Sequence, residues 1–347
     1  MLAEENVRFG VLLDAHRYGG QADADVLART VEVARTAERA GFDDIWITEH
    51  HFVESTVSPS ALALAAFLLG VTSRVHVGTA VTLLPMHSPV HVAEQAALLD
   101  HVSDGRFVLG VGRGQPLVEY DVIGEGMSHW RAGLSEALDL TLRAFHGEVH
   151  SDSGLYHFPS VTTVPIPRTL GGPPMYIAAS SPSSVGIAAE RGLPMLLYFD
   201  KDPAVKAEMV AEHARLAAEA GHATRGYPHA FTVYAHATDD PDLARNLILE
   251  RARKIVSLQP DVPDPQELTT MIAEHLLASH PVGNQSVCVD NLVHNISNSG
   301  CRRVLCQVET IGDTDAILAN VERLASEVFP EVRSRITAPK QVLAAVS

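Results

Sequence analysis

The chain has 347 residues, 46% of them apolar and 20% charged, and a formal net charge of −16. This size and composition fit a globular protein of two ordinary domains or one large α/β barrel, while the negative charge argues against nucleic acid or an anionic membrane as partner, because both would repel it. Cys288, Cys301 and Cys306 lack metal-ligand spacing and read as reduced thiols, the acidic start Met-Leu-Ala-Glu-Glu-Asn lacks an apolar signal segment, and the most apolar stretch, 61–71, is too short to span a bilayer, so a cytoplasmic location is expected.

Strands and helices alternate along the chain. Residues 7–13 are a short apolar run, and 24–40 show helical spacing that stops at Gly41. Residues 44–48 read as the second strand and 59–71 as the second helix, with Ser58 as its N-cap. A third pair covers 75–84 and 90–102, and a fourth covers 107–111 and 129–145. Then come 174–179 with 183–191, 195–199 with 203–220, 231–236 with 241–257, and 304–308 with 313–328. Eight β-α units predict a parallel sheet, and eight strands can close a (β/α)8 TIM barrel. The short β-branched strands suit burial on both faces, and a doubly wound open sheet is the structural alternative.

Two segments break the rhythm. Residues 149–167 read as a hairpin insertion before strand 5. Residues 258–285, proline-rich and acidic at first and then helical in spacing, form a long insertion before strand 8, a candidate mobile lid or a plain surface excursion.

The second strand runs Ile-Trp-Ile-Thr into Glu49, His50, His51 and Phe52. A buried strand has no need of ionisable groups, so three at its C-terminal end suggest a site. On an extended backbone the adjacent imidazoles point to opposite sides, one toward a pocket and one toward the supporting loop. Acid–base chemistry or ligand hydrogen bonding fits this pair better than metal binding, and no metal site is expected. Arg113 follows Gly110-Val-Gly112 and precedes Gly114, small neighbours that let a guanidinium approach phosphate oxygens closely. These glycines do not form the Gly-x-Gly-x-x-Gly dinucleotide pattern. Ser180, Ser181 and Ser184 open the fifth helix, where hydroxyls and free N–H groups make either an anion site or a plain helix cap. Trp46, Phe9, Phe199 and Tyr234 are candidates for lining a pocket, although aromatics on barrel strands are more often core. Met86 and His87 follow strand 3 within reach of a substrate, with a surface-loop role for His87 as the alternative. Cys306 reads as a small buried apolar group rather than a nucleophile.

Taken in order, Glu-His-His-Phe, then Val-Gly-Thr-Ala-Val-Thr-Leu-Leu-Pro, then Ser-Asp-Gly-Arg-Phe-Val-Leu-Gly-Val-Gly-Arg-Gly, and finally Pro-Met-Tyr-Ile-Ala-Ala-Ser-Ser with Ala-Ala-Glu-Arg-Gly-Leu-Pro-Met resemble the bacterial luciferase-like family of flavin-dependent monooxygenases, most closely its luciferase α-subunit branch. The resemblance covers about 7–330 and implies one (β/α)8 barrel domain over 1–347, reduced FMN bound at the C-terminal ends of the strands and supplied by a separate reductase, and usual dimerisation, here as a homodimer. It implies a C4a-peroxyflavin that oxygenates a small organic substrate with molecular oxygen. His50 matches the histidine beside the flavin, Arg113 and the serines around 180–184 match the phosphate-binding groups, and Ala80-Val81 matches a non-proline cis peptide under the ring. Ser180 stands where luciferase α-subunits have a glutamate. Gly112 stands where they have a cysteine, which is expected to leave extra room beside the ring. Glu49 is expected to anchor its loop or tune an imidazole at the pocket. The alternatives are a deazaflavin-dependent hydride-transfer enzyme on the same barrel and a non-catalytic flavin-binding subunit; an unrelated barrel hydrolase lacks its nucleophile elbow here.

Overall fold

Short β-branched runs pair in parallel and close on themselves. In the computed structural model, which describes residues 6–115, 118–123, 126–199, 201–223, 226–257 and 262–337, the barrel strands are β1 (Arg8–Leu13), β2 (Asp44–Ile47), β3 (His76–Thr79), β4 (Phe107–Gly112), β5 (Met175–Ala179), β6 (Met195–Leu197), β7 (Ala230–Tyr234) and β8 (Arg303–Gln307). Each pairs in parallel with its neighbours around the ring, including β1 with β8 and β3 with β4, so the sheet has no open edge. This is the expected (β/α)8 barrel. The β3 run does not continue unbroken over 75–84: a cis peptide joins Ala80 and Val81, and Thr82–Leu83 then resumes pairing beside Val111 and Gly112.

Alternation along each strand sorts its side chains into two cores. Leu12, Trp46, Val108, Tyr176, Leu196, Ala230 and Leu305 pack inside the barrel, while their chain neighbours, among them Val11, Ile45, Leu109, Ile177 and Val304, pack outward against the helices. Two aromatics offered as pocket lining take the core alternative instead, Phe9 by its direction and Trp46 by its enclosure. Phe9 faces outward and stacks on Phe329 at 3.9 Å between ring centroids. Trp46 is fully enclosed and meets Tyr176 edge-on at 5.4 Å, so it fills the barrel rather than lining open space. A Cβ on Gly78 would lie 2.6 Å from the Trp46 ring, which is why glycine stands there. Below the indole, Asp44 takes Arg8 at 2.7 Å and Arg303 at 3.3 Å, and Arg303 donates to the Tyr176 hydroxyl at 2.6 Å.

The outer layer includes α1 (Asp23–Ala40), α2 (Ala61–Val71), α3 (Pro89–Val102), α4 (Leu134–Ala144), α5 (Pro182–Ala189), α6 (Pro203–Glu219) and α7 (Pro241–Ser257). The α1 helix ends where expected: Gly41, at φ +100°, donates its N–H to the Ala37 and Glu38 carbonyls. The α2 helix starts later than expected. Ser60 caps it by accepting the Ala63 N–H, and Ser58 instead donates to the Thr48 carbonyl at 2.6 Å, tying the loop to its strand. Glu148–Asp152 and His157–Thr162 form the expected antiparallel hairpin before β5.

Residues 258–261 of the expected lid lie outside the described residues. The rest is not irregular: Asp264 caps α8 (Pro265–Ser279), whose Ala273 and Leu276 pack with Ala244, Ile248 and Ala252 of α7. Val282–Gly283 then pairs with His236–Ala237. Another helix, α9 (Gln285–Ser299), precedes β8, and α10 (Thr314–Arg323) and α11 (Phe329–Thr337) complete the last unit. Among the described residues no helix is long and apolar enough to cross a membrane.

Buried histidines make stability pH-dependent. Burial holds His229 and His280 down at about 3 and His236 at about 4. Below about pH 6.5 the unfolded chain takes up three protons that these folded rings refuse. Burial and the nearby Asp14 charge push Glu309 the other way, up to about 7, so the folded chain takes up one proton that the unfolded chain takes up only near 4.5. These four groups give a net of two protons, and His16, His76 and His213, also held down by burial, act in the same direction, so unfolding free energy is expected to fall by roughly 3 kcal/mol or more per pH unit between pH 6 and 5. Denaturant titrations at the two pH values check this, and equal midpoints would overturn it.

Candidate active site

The charged motif at the end of β2 divides as the extended backbone requires. His50 turns toward the β1 end, with Nε2 3.5 Å from Asp14 Oδ1 and a side chain 43% exposed at the barrel mouth. His51 turns the other way, 3.4 Å from Glu49 Oε1.

Glu49 is a loop anchor rather than a pocket surface. It is buried and accepts from His87 Nε2 at 2.7 Å, from the Leu83 N–H at 3.3 Å and from the Ala61 N–H at 3.2 Å, so it joins the β2 loop, the start of α2 and the β3 loop. Burial alone would raise its pKa, but the His51 and His87 hydrogen bonds and the Ala61 N–H outweigh that and hold it at about 2. His87 thus serves the loop as well. Glu49→Ala strands these donors in a buried place and is expected to cost about 3 kcal/mol of stability; thermal unfolding measures it, and an unchanged midpoint would sink the anchor role.

Around the ring from His50, β3 contributes Ala80 and Val81, β4 contributes Gly112 and Arg113, and β5 leads into Ser180. The extra room expected at Gly112 does not exist. A Cβ there would lie 2.8 Å from Val81 Cγ2 and 3.0 Å from Ala178 Cβ, so Val81 and Ala178 already fill the space. Met86 is likewise not at an open surface; it is buried with Leu83 and Tyr120, backed by Val81 and Trp130.

Arg113 is held at its side chain and at its carbonyl, and the ring beneath it is itself anchored. Its guanidinium lies 4.4 Å from the centroid of the Trp130 ring, its carbonyl accepts the Tyr120 hydroxyl at 2.6 Å, and Trp130 Nε1 donates to the Gly114 carbonyl at 3.2 Å. It faces a cavity of about 280 Å³ shared with Arg131, Ser135, Ser183, Ser184 and Ile187. Ser181 and Ser184 form a full capping box on α5, and the Ser180 N–H also donates to Ser184 Oγ at 3.1 Å. The plain cap is therefore present, and it leaves two guanidinium groups and Ser183 at the mouth of the same helix N-terminus. Arg131 and Ser183 escaped sequence reasoning because neither sits in a motif; an arginine three residues into a helical stretch reads as solvated.

Asp14, Glu309, Tyr18 and Arg251 also meet at the mouth and were not anticipated. Arg251 donates to the Tyr18 hydroxyl and to the Glu309 carbonyl, each at 2.5 Å. The parity signal was available for Asp14, two residues beyond the inward-facing Leu12. Cys306 is buried and free in the outer core, in line with a packing role. Among the described residues no group of three or more histidine, cysteine, aspartate or glutamate side chains is placed to hold a metal.

A family model described as luciferase-like monooxygenase matches residues 7–281. The alkanal monooxygenase alpha chain of the Kryptophanaron alfredi symbiont is 27% identical over 354 residues, covering 95% of this chain and 99% of that one. Among solved structures, a monooxygenase from Streptomyces bottropensis superposes with TM-score 0.82 at 20% identity, covering 93% of this chain and 99% of that one. The oxygenating constituent of 3,6-diketocamphane monooxygenase from Pseudomonas putida, in complex with FMN, gives 0.74 at 16%, with 94% and 99% covered. An F420-dependent secondary alcohol dehydrogenase gives 0.73 at 18%, with the same coverage.

Proposed function

Because this chain belongs to the luciferase-like monooxygenase family, we propose that it is a two-component monooxygenase that takes reduced FMN from a separate reductase and oxygenates a small organic substrate. The observation that carries this reading is the cavity between Arg113 and Arg131 at the start of α5. Two guanidinium groups and a helix N-terminus suit a terminal phosphate dianion, the group that FMN carries and riboflavin lacks. Reduced FMN bound there would supply the electrons that activate oxygen.

The chain's own residues do the rest. Arg113 and Arg131 hold the phosphate, with Ser180, Ser181 and Ser184 shaping the helix end beside it. Ala80, Val81, Gly112 and Ala178 offer a small, uncharged surface on the strands between that cavity and His50. His50, half-exposed and oriented from below, moves a proton to or from the reacting oxygen or substrate. Phe199 stacks on Tyr234 at 4.8 Å and lies 4.1 Å from Tyr198, giving an apolar face for the substrate at the ends of β6 and β7.

Binding of reduced FMN and of reduced deazaflavin, followed by mixing with oxygen, tests the reading. Tighter FMN binding and flavin oxidation slower than that of free flavin support it; preference for deazaflavin would move the chain to hydride transfer, and oxidation at the free-flavin rate would leave it a non-catalytic binder.

The chain is further proposed to act as one barrel domain and a homodimer. Phe67 on α2 is 54% exposed, and Leu98 and Val102 on α3 are 50% and 68% exposed, a large apolar surface for a lone barrel. Phe67→Glu with Leu98→Glu is expected to halve the mass measured by light scattering, and an unchanged mass would place the contact elsewhere.

A further inference from the structure

The buried charged groups beneath His50 form a cluster that phosphate binding and loop anchoring do not use. Asp14 extends β1 by one inward-facing position. One of its carboxylate oxygens accepts the Thr48 hydroxyl at 2.7 Å and lies 3.5 Å from His50 Nε2, while the other lies 3.6 Å from His16 Nδ1. The carboxylate is therefore flanked by two imidazoles, one buried and one at the barrel mouth.

The backbone that carries Asp14 is clamped from β8. Glu309, fully buried, accepts the Asp14 N–H at 2.6 Å through Oε2 and the His16 N–H at 3.3 Å through Oε1. The Ala15 carbonyl accepts the Val57 N–H at 3.0 Å, so the β1 and β2 loops are also tied directly. A carboxylate pinned at both ends of its residue does not need His50 to stay in place. His50, by contrast, has its ring exposed and its main-chain N–H bonded to the Ser58 carbonyl at 2.9 Å.

We propose that Asp14 is a positioning residue for His50: its carboxylate turns Nε2 of the imidazole inward and fixes the ring at the barrel mouth. The neighbouring cations make their hydrogen bonds elsewhere, so among the described basic residues only the imidazoles lie against the carboxylate oxygens. Arg29 of α1 donates to the His16 carbonyl and lies 3.9 Å from Glu309, Arg251 of α7 is spent on Tyr18 and the Glu309 carbonyl, and Lys254 donates to Ser55 Oγ at 3.1 Å. Lys254 also feels the Asp14 charge, more than that of Glu250, and so shares the carboxylate's field with the imidazoles. Burial would raise the Asp14 carboxyl, yet the His16 and His50 rings and the Thr48 hydroxyl hold it below the usual carboxylate range, so it is ionised across the working pH range. Asp14 helps raise the proton affinity of Glu309, and protonation of Glu309 eases the repulsion between them as pH falls below 7.

The inference rests on the proposed role of His50, and the deciding measurement needs no flavin. In flavin-free protein labelled with ¹⁵N-histidine, the midpoint at which the His50 ring signals move with pH is read for wild type, Asp14→Asn and Thr48→Val. Removing the carboxylate charge is expected to lower that midpoint by about one pH unit. Thr48→Val, which takes only the hydroxyl donor from the carboxylate, is expected to raise it. The acid limb of the turnover profile should shift in the same sense in each variant. If Asp14→Asn does not fold, the Thr48→Val shift still decides the matter. Midpoints that coincide with wild type in the folded variants overturn the proposal, whether or not FMN proves to be the cofactor; shifted midpoints without oxygenation would instead uphold it and reject the monooxygenase reading.

Discussion

If the proposed FMN site is right, Arg113→Ala is expected to weaken FMN binding about 100-fold, close to 2.7 kcal/mol, because it would remove a charge-assisted pair of hydrogen bonds to the phosphate dianion. Riboflavin, which has no phosphate, is expected to bind wild type and variant within about 3-fold of each other. The contrast between the two ligands separates phosphate recognition from structure, because Arg113 also lies on the Trp130 ring and its carbonyl takes the Tyr120 hydroxyl. Fluorescence titration of both flavins measures it. An equal loss for FMN and riboflavin would show that the guanidinium matters only through Trp130. Arg113→Lys keeps the charge but not the planar fork, so it should recover part of the FMN affinity and little of the stacking.

His50→Ala is expected to lower turnover by about 10² to 10⁴-fold, the usual worth of a positioned acid–base group, while FMN affinity stays within about 2-fold. The separation follows from the geometry. His50 leaves β2, whereas the two-arginine cavity is built from the ends of β4, α5 and the stretch leading into α4. Loss of the ring also leaves Asp14 with His16 and Thr48 as partners, so the fold should survive. Added imidazole should restore part of the rate. Unchanged turnover would remove His50 from the chemistry; a matching loss of FMN binding would make it a structural residue of the rim.

The order of elements is readable in the sequence. Short β-branched runs alternating with amphipathic stretches predict parallel strands under helices, and the eight-fold count predicts closure; both are seen in the ring from β1 to β8. The split between His50 and His51 was legible for the same reason, since a two-residue period leaves adjacent side chains no other choice. The helical spacing within 258–285 was legible and is seen as Pro265–Ser279, whereas the helices Gln285–Ser299 and Phe329–Thr337 were not assigned, because a rhythm of one helix per strand leaves no place for them.

What the sequence by itself determined about this protein is therefore periodic and local: the strand count, the barrel, the charged end of β2 and the glycine-flanked Arg113. What the tertiary structure alone decided depends on register between distant strands. Trp46 became a filler because Gly78, one strand away, leaves a gap of indole shape. Gly112 gained no space because Val81 reached into it from the neighbouring strand. Arg131 joined Arg113 only when a helical turn between β4 and α4 carried it to the α5 N-terminus. Asp14 and Glu309 lie 295 residues apart in the chain and met because β1 and β8 are the two strands that closure brings together. Hydrogen bonds and charges act over a few ångströms, and which groups come that close is fixed by the closed sheet rather than by spacing along the chain.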